Sequence, residues 1–318
     1  MKRFVRIACL TLAVCSVVGL SFAQAAETFP ARSLTYLVTF DPGGQSDREA
    51  RRQQPLLAEL LKQTITIDYK VGGGGALGWK ELVGAKPDGY FFAGMNIPHI
   101  ILQPMQQNVG YRTEQLVPVA IFQRTFFGIA VLNDSPYKTL QDLIDDAKKN
   151  PGKISIGGVG VYSGHHVAYL QLQKLSGINL AYVPATGSNS QMTTFLGGHT
   201  VAVMANQDDL VRFKDKLRVL AMTTDGSSPL FPDAPSCKEL GYNVIISIDR
   251  GVAVPPGTPT DRIAVLEKAF MNITSRPEIK SAMEKEGFIP VSMGHKESVE
   301  YIKRLTQEYG QLMQEMKK

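Results

Sequence analysis

Cysteine is scarce in this sequence, and two of the three cysteines lie within the first 15 residues. Cys9 and Cys15 belong to an N-terminal apolar segment, and Cys237 is the one thiol in the remaining chain. An intramolecular disulfide needs two thiols, so removal of the N-terminal segment leaves none possible. Small folds held together by disulfides are therefore excluded.

Excess charge of either sign is also lacking. The sequence has 34 Lys and Arg residues against 29 Asp and Glu residues, and three of the basic residues, Lys2, Arg3 and Arg6, lie at the N-terminus. Without these three, 31 basic residues face 29 acidic ones, a formal charge of +2. Nucleic-acid-binding proteins cluster Lys and Arg on one face, and no such cluster is present, so we predict no nucleic-acid partner.

Motifs of the common enzyme classes are missing as well. The sequence has no Gly-x-Ser-x-Gly, no Gly-Lys-Ser/Thr and no group of His, Cys, Asp and Glu at metal-ligand spacing. We therefore predict a protein without catalytic activity, cofactor or bound metal. An exported hydrolase is the competing class, and Ser163 and His165 are the only pair that it could use.

One long apolar run is present, at the N-terminus. A basic start precedes the apolar stretch 7–22, and Ala23-Gln24-Ala25 follows with the small-x-small pattern of a cleavage site. This order is typical of a secretory signal peptide over residues 1–25, cleaved near Ala25–Ala26, which predicts export to the periplasm. A retained anchor would need ~20 apolar residues. A lipidated Cys15 would lie in the middle of the apolar run, which argues against a lipoprotein.

The rest of the chain repeats one pattern, a short strand followed by a glycine turn and a helix start. In the first occurrence, the β-forming run Tyr36–Phe40 stops at Pro42-Gly43-Gly44, and a helix opens with Ser46 and Asp47. Backbone N–H groups converge in such a turn, and the helix N-terminus adds partial positive charge, which predicts an anion site. A plain loop between strand and helix is the alternative. The candidate ligand-binding residues here are Phe40, Pro42, Gly43, Gly44, Gln45, Ser46 and Asp47.

The pattern occurs twice more. The four glycines Gly72–Gly75 precede a helix, but the G-x-G-x-x-G order of a dinucleotide site is missing. The third turn follows the strand Ile154–Ile156 and is the most polar. Adjacent histidines on a helix do not face one metal, so ligand contact and a hydrogen bond at the helix start are the two open roles for them. The candidates from these two turns are Gly75, Gly160, Tyr162, Ser163, His165 and His166.

The last candidates lie at or just beyond the ends of further predicted strands: Asn96, Thr186, Asn206 and Arg250. Arg250 stands between a strand and Gly251. Its planar guanidinium matches a carboxylate, and we expect it to hold the second carboxylate of a di- or tricarboxylic acid. The alternative is a structural ion pair with Asp249 or another acid.

Alternating strand and helix signals predict an α/β fold, and the chain length suits two lobes. Residues 116–132 are strongly β-prone. We expect Pro55 to kink or restart the first helix, and Pro232–Pro235 to open another short one. Apolar residues at spacings of three and four from Val299 to Met316 predict an amphipathic C-terminal helix packed on one lobe.

Short motifs follow one another along essentially the whole chain after the signal peptide. They include Phe40-x-Pro42-Gly43-Gly44-x-x-Asp47, Lys86-Pro87-Asp88-Gly89-Tyr90, Ser135-Pro136-x-Lys138-Thr139-Leu140, Leu196-Gly197-Gly198, Pro232-Asp233-Ala234-Pro235 and Pro256-Gly257-Thr258-Pro259. Their order resembles the substrate-binding proteins of the tripartite tricarboxylate transporter family, the TctC-like or Bug-type periplasmic receptors. Two segments depart from the family pattern: Asp68-Tyr69-Lys70 replaces Glu-Asn-Arg, and Ile248-Asp249-Arg250-Gly251 replaces Trp-x-Gly-Leu.

The resemblance implies a two-lobed periplasmic-binding-protein fold of type II with the ligand cleft between the lobes. Lobe 1 would comprise residues 27–122 and 254–318, and lobe 2 residues 123–253. In this family the loops matching 40–47 and 160–166 hold a carboxylate through backbone N–H groups and ordered waters.

The function that the resemblance implies is the capture of an organic acid, either a di- or tricarboxylate or another carboxylate. The protein would act as a monomer and would deliver the acid to a tripartite tricarboxylate-type membrane transporter. A sensor that presents its ligand to a two-component system is the alternative among binding proteins.

The signal peptide gives a first prediction. Exported protein should begin near Ala26, because signal peptidase cuts after a small-x-small sequence. Intact-mass measurement of protein from the periplasmic fraction checks this. A chain that keeps Met1, or one with a diacylated Cys15, would contradict it.

Overall fold

The computed structural model describes residues 28–316, and the predicted signal peptide lies outside them. Strands and helices alternate along this part of the chain. The strands are β1 Leu34–Val38, β2 Ile65–Tyr69, β3 Phe91–Ile97, β4 Val117–Leu132, β5 Ser155–Val159, β6 Ala181–Ala185, β7 Ala202–Asn206, β8 Leu217–Met222, β9 Ser247–Val254 and β10 Ile289–Met293. The helices are α1 Gln45–Leu61, α2 Ala76–Gly84, α3 His99–Gln106, α4 Leu140–Lys149, α5 Gly164–Ser176, α6 Ser188–Leu196, α7 Gln207–Arg212, α8 Thr260–Ser275, α9 Pro277–Lys285 and α10 His295–Met316.

Strand β4 joins all the strands into one sheet. The strand order is β2-β1-β3-β9-β4-β7-β5-β6, and β8 and β10 also pair with β4. Residues 117–126 of β4 pair with β9, whereas residues 127–132 pair with β7 and β8. The β-prone segment predicted over residues 116–132 is therefore confirmed, and it forms one 16-residue strand that runs through both halves of the molecule.

Strand pairing defines two lobes. The first lobe contains β1, β2, β3, β9, β10 and the first part of β4, and the second contains β5, β6, β7, β8 and the rest of β4. The chain passes between the lobes within β4 and again just before β9. The predicted bounds 27–122, 123–253 and 254–318 stay a prediction, and by hydrogen bonding Ser247–Val254 lies in the first lobe, between β3 and β4.

Each lobe has an apolar core of its own. In the first lobe, Phe270 of α8 stacks on Phe122 with ring centroids 6.0 Å apart and contacts Phe92 edge-on at 5.8 Å. In the second lobe, Phe127 and Leu172 are fully buried in a separate cluster. Full burial of one such side chain contributes about 1.5–3 kcal/mol. The two cores can therefore hold the lobes as units with a polar cleft between them.

The C-terminal helix α10 packs on both lobes. Ile302 is buried in the core of the first lobe, and Met313 is buried in the core of the second. The prediction that this helix packs on one lobe was therefore wrong, because its 22 residues span about 33 Å, enough to reach across both. None of the described helices combines the length and the apolar character that a membrane span requires.

Two predictions based on proline have different outcomes. Helix α1 does not restart at Pro55 but continues to Leu61, because Leu57 and Leu61 are buried in the first core and hold the helix in place, and a kink at Pro55 stays a prediction. No helix forms at Pro232–Pro235. Instead the Met222 N–H donates to the Pro235 carbonyl at 2.9 Å, and this extended pairing with the end of β8 replaces helical hydrogen bonds.

The first core gives a prediction of stability. Phe270→Ala should lower the free energy of unfolding by about 3–5 kcal/mol, because truncating a buried aromatic ring leaves a cavity. Leu175 is 50% exposed, so the control Leu175→Ala should change the free energy of unfolding by about 0.5 kcal/mol or less. Urea denaturation of both variants measures the difference. Equal losses would contradict the assignment of Phe270 to the core.

Candidate functional site

A cavity lies between the lobes and is lined by residues from both. The first lobe contributes Phe40, Gln45, Ser46, Asn96, His99, Ile248 and Arg250, and the second contributes Val159, His165, Ser188 and Asn206. The cavity measures about 260 Å³ including its opening to solvent. It is narrow in this arrangement of the lobes.

Helix N-termini surround the cavity. Gln45, His99 and Ser188 are the first residues of α1, α3 and α6, and His165 is the second residue of α5. Each helix N-terminus carries a partial positive charge from its aligned peptide dipoles. Four such ends around one cavity favour a negatively charged solute.

Arg250 is the charged side chain that lines the cavity. It is 4% exposed, and within residues 28–316 neither its Nε nor its Nη1 has a hydrogen-bond partner. Burial lowers the pKa of Arg250 to about 10, although Asp208 and Asp209 oppose the shift, so the guanidinium stays charged at neutral pH. A buried charge without a partner costs roughly 3–5 kcal/mol, so an anion that supplied the missing acceptors would be favourable here.

The alternation of side chains along β9 explains why Asp249 does not pair with Arg250. Neighbouring residues of a strand point to opposite faces of the sheet, so Asp249 and Arg250 face away from each other. Asp249 instead accepts hydrogen bonds from Arg124 Nε at 2.6 Å and Nη2 at 3.1 Å, and also from Tyr301. The predicted alternative, an ion pair between Asp249 and Arg250, is therefore wrong.

Two buried histidines stand beside Arg250. The ring centroids of His99 and His165 are 6.4 Å apart, and both side chains are 1% exposed. Burial lowers the pKa of His165 to about 3 with help from Arg250, while a contact with Asn206 acts in the opposite direction. Burial, His165 and Arg250 also lower the pKa of His99 well below its ordinary value. Both rings are therefore neutral at physiological pH and serve as uncharged hydrogen-bonding groups.

Polar contacts between the lobes close one side of the cavity. The Gln45 backbone N–H donates to Ser188 Oγ at 3.0 Å, and the Ser190 N–H donates to Asp41 Oδ2 at 3.0 Å. Arg48 of α1 forms ion pairs with Asp208 and Asp209 of α7. The segment 41–48 of the first lobe thus binds two helices of the second lobe.

The glycine turns meet directly across the cleft. A Cβ atom on Gly160, whose φ is +49°, would lie 2.8 Å from the Cα of Gly74. The neighbouring Gly75 has φ +96°, and a Cβ there would lie 2.6 Å from the Trp79 ring. Glycine at positions 74 and 160 allows the two lobes to approach each other closely, whereas Gly75 leaves room for the Trp79 ring within the first lobe.

The structure brings together part of the candidate set from the sequence. Seven of these residues line the cavity: Phe40, Gln45, Ser46, Asn96, His165, Asn206 and Arg250. The rest of the first turn, Pro42, Gly43, Gly44 and Asp47, lies beside it. There the Gly43 N–H donates to Asp47 Oδ2 at 2.8 Å, and Asp47 also binds Arg51 and Tyr69, so its carboxylate stabilises the turn.

The remaining candidates lie at the starts of α5 and α6. Ser163 caps α5 by accepting a hydrogen bond from the His166 N–H at 3.2 Å, and the Tyr162 N–H donates to His166 Nδ1 at 3.2 Å. His166 therefore takes the helix-start role, whereas His165 faces the cavity. Thr186 is exposed, with its hydroxyl 3.1 Å from Ser190 Oγ.

The candidate set lacks four of the residues that line the cavity: His99, Val159, Ser188 and Ile248. His99 and Ser188 could have been found, because each is the first residue of a helix that follows a strand, the pattern that identified Gln45. Val159 and Ile248 have no such signal, because apolar residues on a strand look the same at a cavity as in a core.

Comparison with known proteins identifies the family. The sequence model described as "Tripartite tricarboxylate transporter family receptor", TctC, matches residues 49–317. The chain belongs to this receptor family. The resemblance inferred from the short motifs is therefore confirmed.

Relatives of this TctC-family chain align over most of its length. The "UPF0065 protein in gbd 5'region" of Cupriavidus necator is 28% identical over 283 residues, 88% of this chain and 86% of that protein. "Protein BugT" of Bordetella pertussis is 26% identical over 279 residues, 86% of each chain.

Solved structures share the fold. "Periplasmic binding protein BugD" is 24% identical with a TM-score of 0.85, covering 91% of this chain and 98% of that one. R. palustris Rpa4515, solved with adipate, is 21% identical with a TM-score of 0.85 and the same coverage. MatC of Rhodopseudomonas palustris, solved with malate, is 22% identical with a TM-score of 0.81, covering 88% and 97%. The predicted two-lobed periplasmic-binding-protein fold is confirmed.

The contact between Gly74 and Gly160 gives a prediction about lobe closure. Gly160→Ala should weaken the binding of malate or succinate about tenfold or more, because the added methyl group would clash with the Gly74 Cα and hinder closure of the lobes. A loss of about 1.4 kcal/mol corresponds to a factor of ten in affinity. Gly198 has φ +75° with open space around a Cβ atom, so Gly198→Ala has similar backbone strain without the clash. Calorimetric titration of both variants measures the difference. Equal affinities for the two variants would show that this contact does not limit closure.

Proposed function

We propose that this protein is a periplasmic solute receptor that captures an organic carboxylate and delivers it to a tripartite tricarboxylate-type membrane transporter. The observation that carries the proposal is Arg250, a buried guanidinium with two unpartnered nitrogen atoms at a cavity between two lobes. A planar guanidinium binds a carboxylate through two parallel hydrogen bonds. The ligand would then supply the anion that the folded chain does not provide.

The surroundings of Arg250 favour a carboxylate. The helix N-termini at the cavity add partial positive charge, and none of the described lining residues is acidic. A solute there would therefore meet attraction for its negative charge, and the nearby carboxylates Glu49, Asp208 and Asp209 are ion-paired with Arg52 and Arg48. Proteins of the same fold were solved with adipate and with malate, so acids of this size can be accommodated by the fold.

The proposal includes the site and its setting in the cell. The ligand would contact the seven candidate residues that line the cavity, together with His99 and Ser188. We further propose that the signal peptide 1–25 directs the chain to the periplasm, that the lobes divide near residues 122 and 253, and that the receptor acts as a monomer without catalysis.

Substitution of Arg250 tests the proposal. Arg250→Lys should weaken dicarboxylate binding by about 1–3 kcal/mol, because an ammonium cannot make the paired contact, and Arg250→Ala should weaken it further. Without ligand, Arg250→Ala should unfold at an equal or higher temperature, because it removes an unpaired buried charge. Calorimetric titration with succinate and malate, together with thermal unfolding, provides both measurements.

The control variant is Arg304→Ala, since the Arg304 side chain is 64% exposed and distant in sequence from the cavity residues. It should leave affinity and melting temperature unchanged. Normal dicarboxylate affinity in folded Arg250→Ala would remove Arg250 from the site.

Mass spectrometry of the acid after incubation with the protein distinguishes a receptor from the competing class. An exported hydrolase would convert its substrate, whereas a receptor returns the acid unchanged.

A further inference from the structure

Two amide oxygens at the cavity lack hydrogen-bond partners. Gln45 Oε1 and Asn206 Oδ1 have no donor within residues 28–316, and their side chains are 2% and 1% exposed. Buried acceptors of this kind are rarely left unsatisfied, since each loses its hydrogen bonds to water on burial. A solute in the cavity can supply the missing donor.

The orientation of both amides is determined by neighbouring carboxylates. Gln45 Nε2 donates to Asp208 Oδ1, and Asn206 Nδ2 donates to Asp209 Oδ2 at 3.3 Å. A flipped amide would place its oxygen against a carboxylate oxygen, so neither flip is acceptable. Burial and Asp209 raise the pKa of Asp208, whereas Arg48 and Arg250 lower it, and the ion pair with Arg48 favours the carboxylate form, in which Oδ1 accepts from Gln45.

Gln45 is the stronger of the two acceptors available to a solute. The Asn206 oxygen lies beside the neutral His165 ring, and this contact opposes the lowering of the His165 pKa. Gln45 Oε1 has no donor within residues 28–316, and the backbone N–H and Nε2 of Gln45 already donate to Ser188 and Asp208. The Gln45 oxygen therefore needs a donor from the ligand.

The charge of the cavity distinguishes a hydroxyl donor from an ammonium. No acidic residue lines the cavity among the described residues, and three carboxylates near it are ion-paired, Asp208 and Asp209 with Arg48 and Glu49 with Arg52. An ammonium would share the cavity with the Arg250 cation and have no carboxylate of its own, which is unfavourable at low dielectric. A hydroxyl donates the same hydrogen bond without a charge.

We propose that the ligand is a hydroxycarboxylic acid, with a carboxylate on Arg250 and a hydroxyl that donates to Gln45 Oε1. This inference rests on the proposed function, because it assumes that Arg250 holds a carboxylate. A site that hydrogen-bonds a hydroxyl discriminates strongly against the analogue without it, because the protein acceptor is then buried unpaired.

Pairs of acids that differ by one hydroxyl test this inference. Calorimetric titration compares malate with succinate, lactate with propionate, and 3-hydroxybutyrate with butyrate. The hydroxy acid of at least one pair should bind about tenfold tighter or more than its partner, and aspartate should bind more weakly than malate. Equal affinities within every pair, or aspartate tighter than malate, would overturn the inference while leaving a carboxylate receptor intact. Binding of none of these acids would instead overturn the proposed function.

The variant Gln45→Met tests the assigned acceptor. This substitution also removes the hydrogen bond between Gln45 and Asp208, which weakens closure for every ligand. The informative measurement is therefore the ratio of the affinities for the two acids of a pair. This ratio should fall to about threefold or less in Gln45→Met and stay unchanged in the control Gln141→Met, whose residue is exposed on α4. An unchanged ratio in Gln45→Met would overturn the assignment. The acid pairs on the unaltered protein still test the inference if this variant does not fold.

Discussion

The buried Arg250 guanidinium, which forms no ion pair within residues 28–316, is the main physical constraint on the site. Strand β9 places it between β3 and β4, opposite Asn96 and Gln123 in the strand register. The alternation of side chains turns the adjacent Asp249 to the other face, where it binds Arg124. A charge in this position is destabilising without an anion beside it, which is the reason for proposing a carboxylate ligand here.

The cavity exists because two lobes meet. Its lining comes from both, and the contacts that close it, such as those of Asp41 and Arg48 with α6 and α7, join segments far apart in the sequence. Glycines at 74 and 160 let the two loops approach each other without a side chain between them. A ligand that contacts both lobes stabilises the closed arrangement by its contacts, so binding and closure are linked.

The charges of His165 and Arg250 are constant over the range of physiological pH. Burial lowers the pKa of His165 to about 3, and Arg250 keeps a pKa of about 10. His99 is shifted in the same direction as His165. At neutral pH the histidines are therefore uncharged and the Arg250 guanidinium is charged. A carboxylate is ionised at the same pH and matches that charge.

Features that depend on residues close together in the sequence could be predicted without the structure. The short motifs identified the family, and the strand–glycine–helix pattern placed Phe40, Gln45 and His165 at the site, because strand ends and helix starts have local signals. The tertiary structure was needed to show which candidates face the cavity. It was also needed to show that Asp249 pairs with Arg124 and that Asp47 stabilises its own turn. These outcomes depend on contacts between distant segments and on the face of a strand that packing buries, which spacing along the chain does not specify.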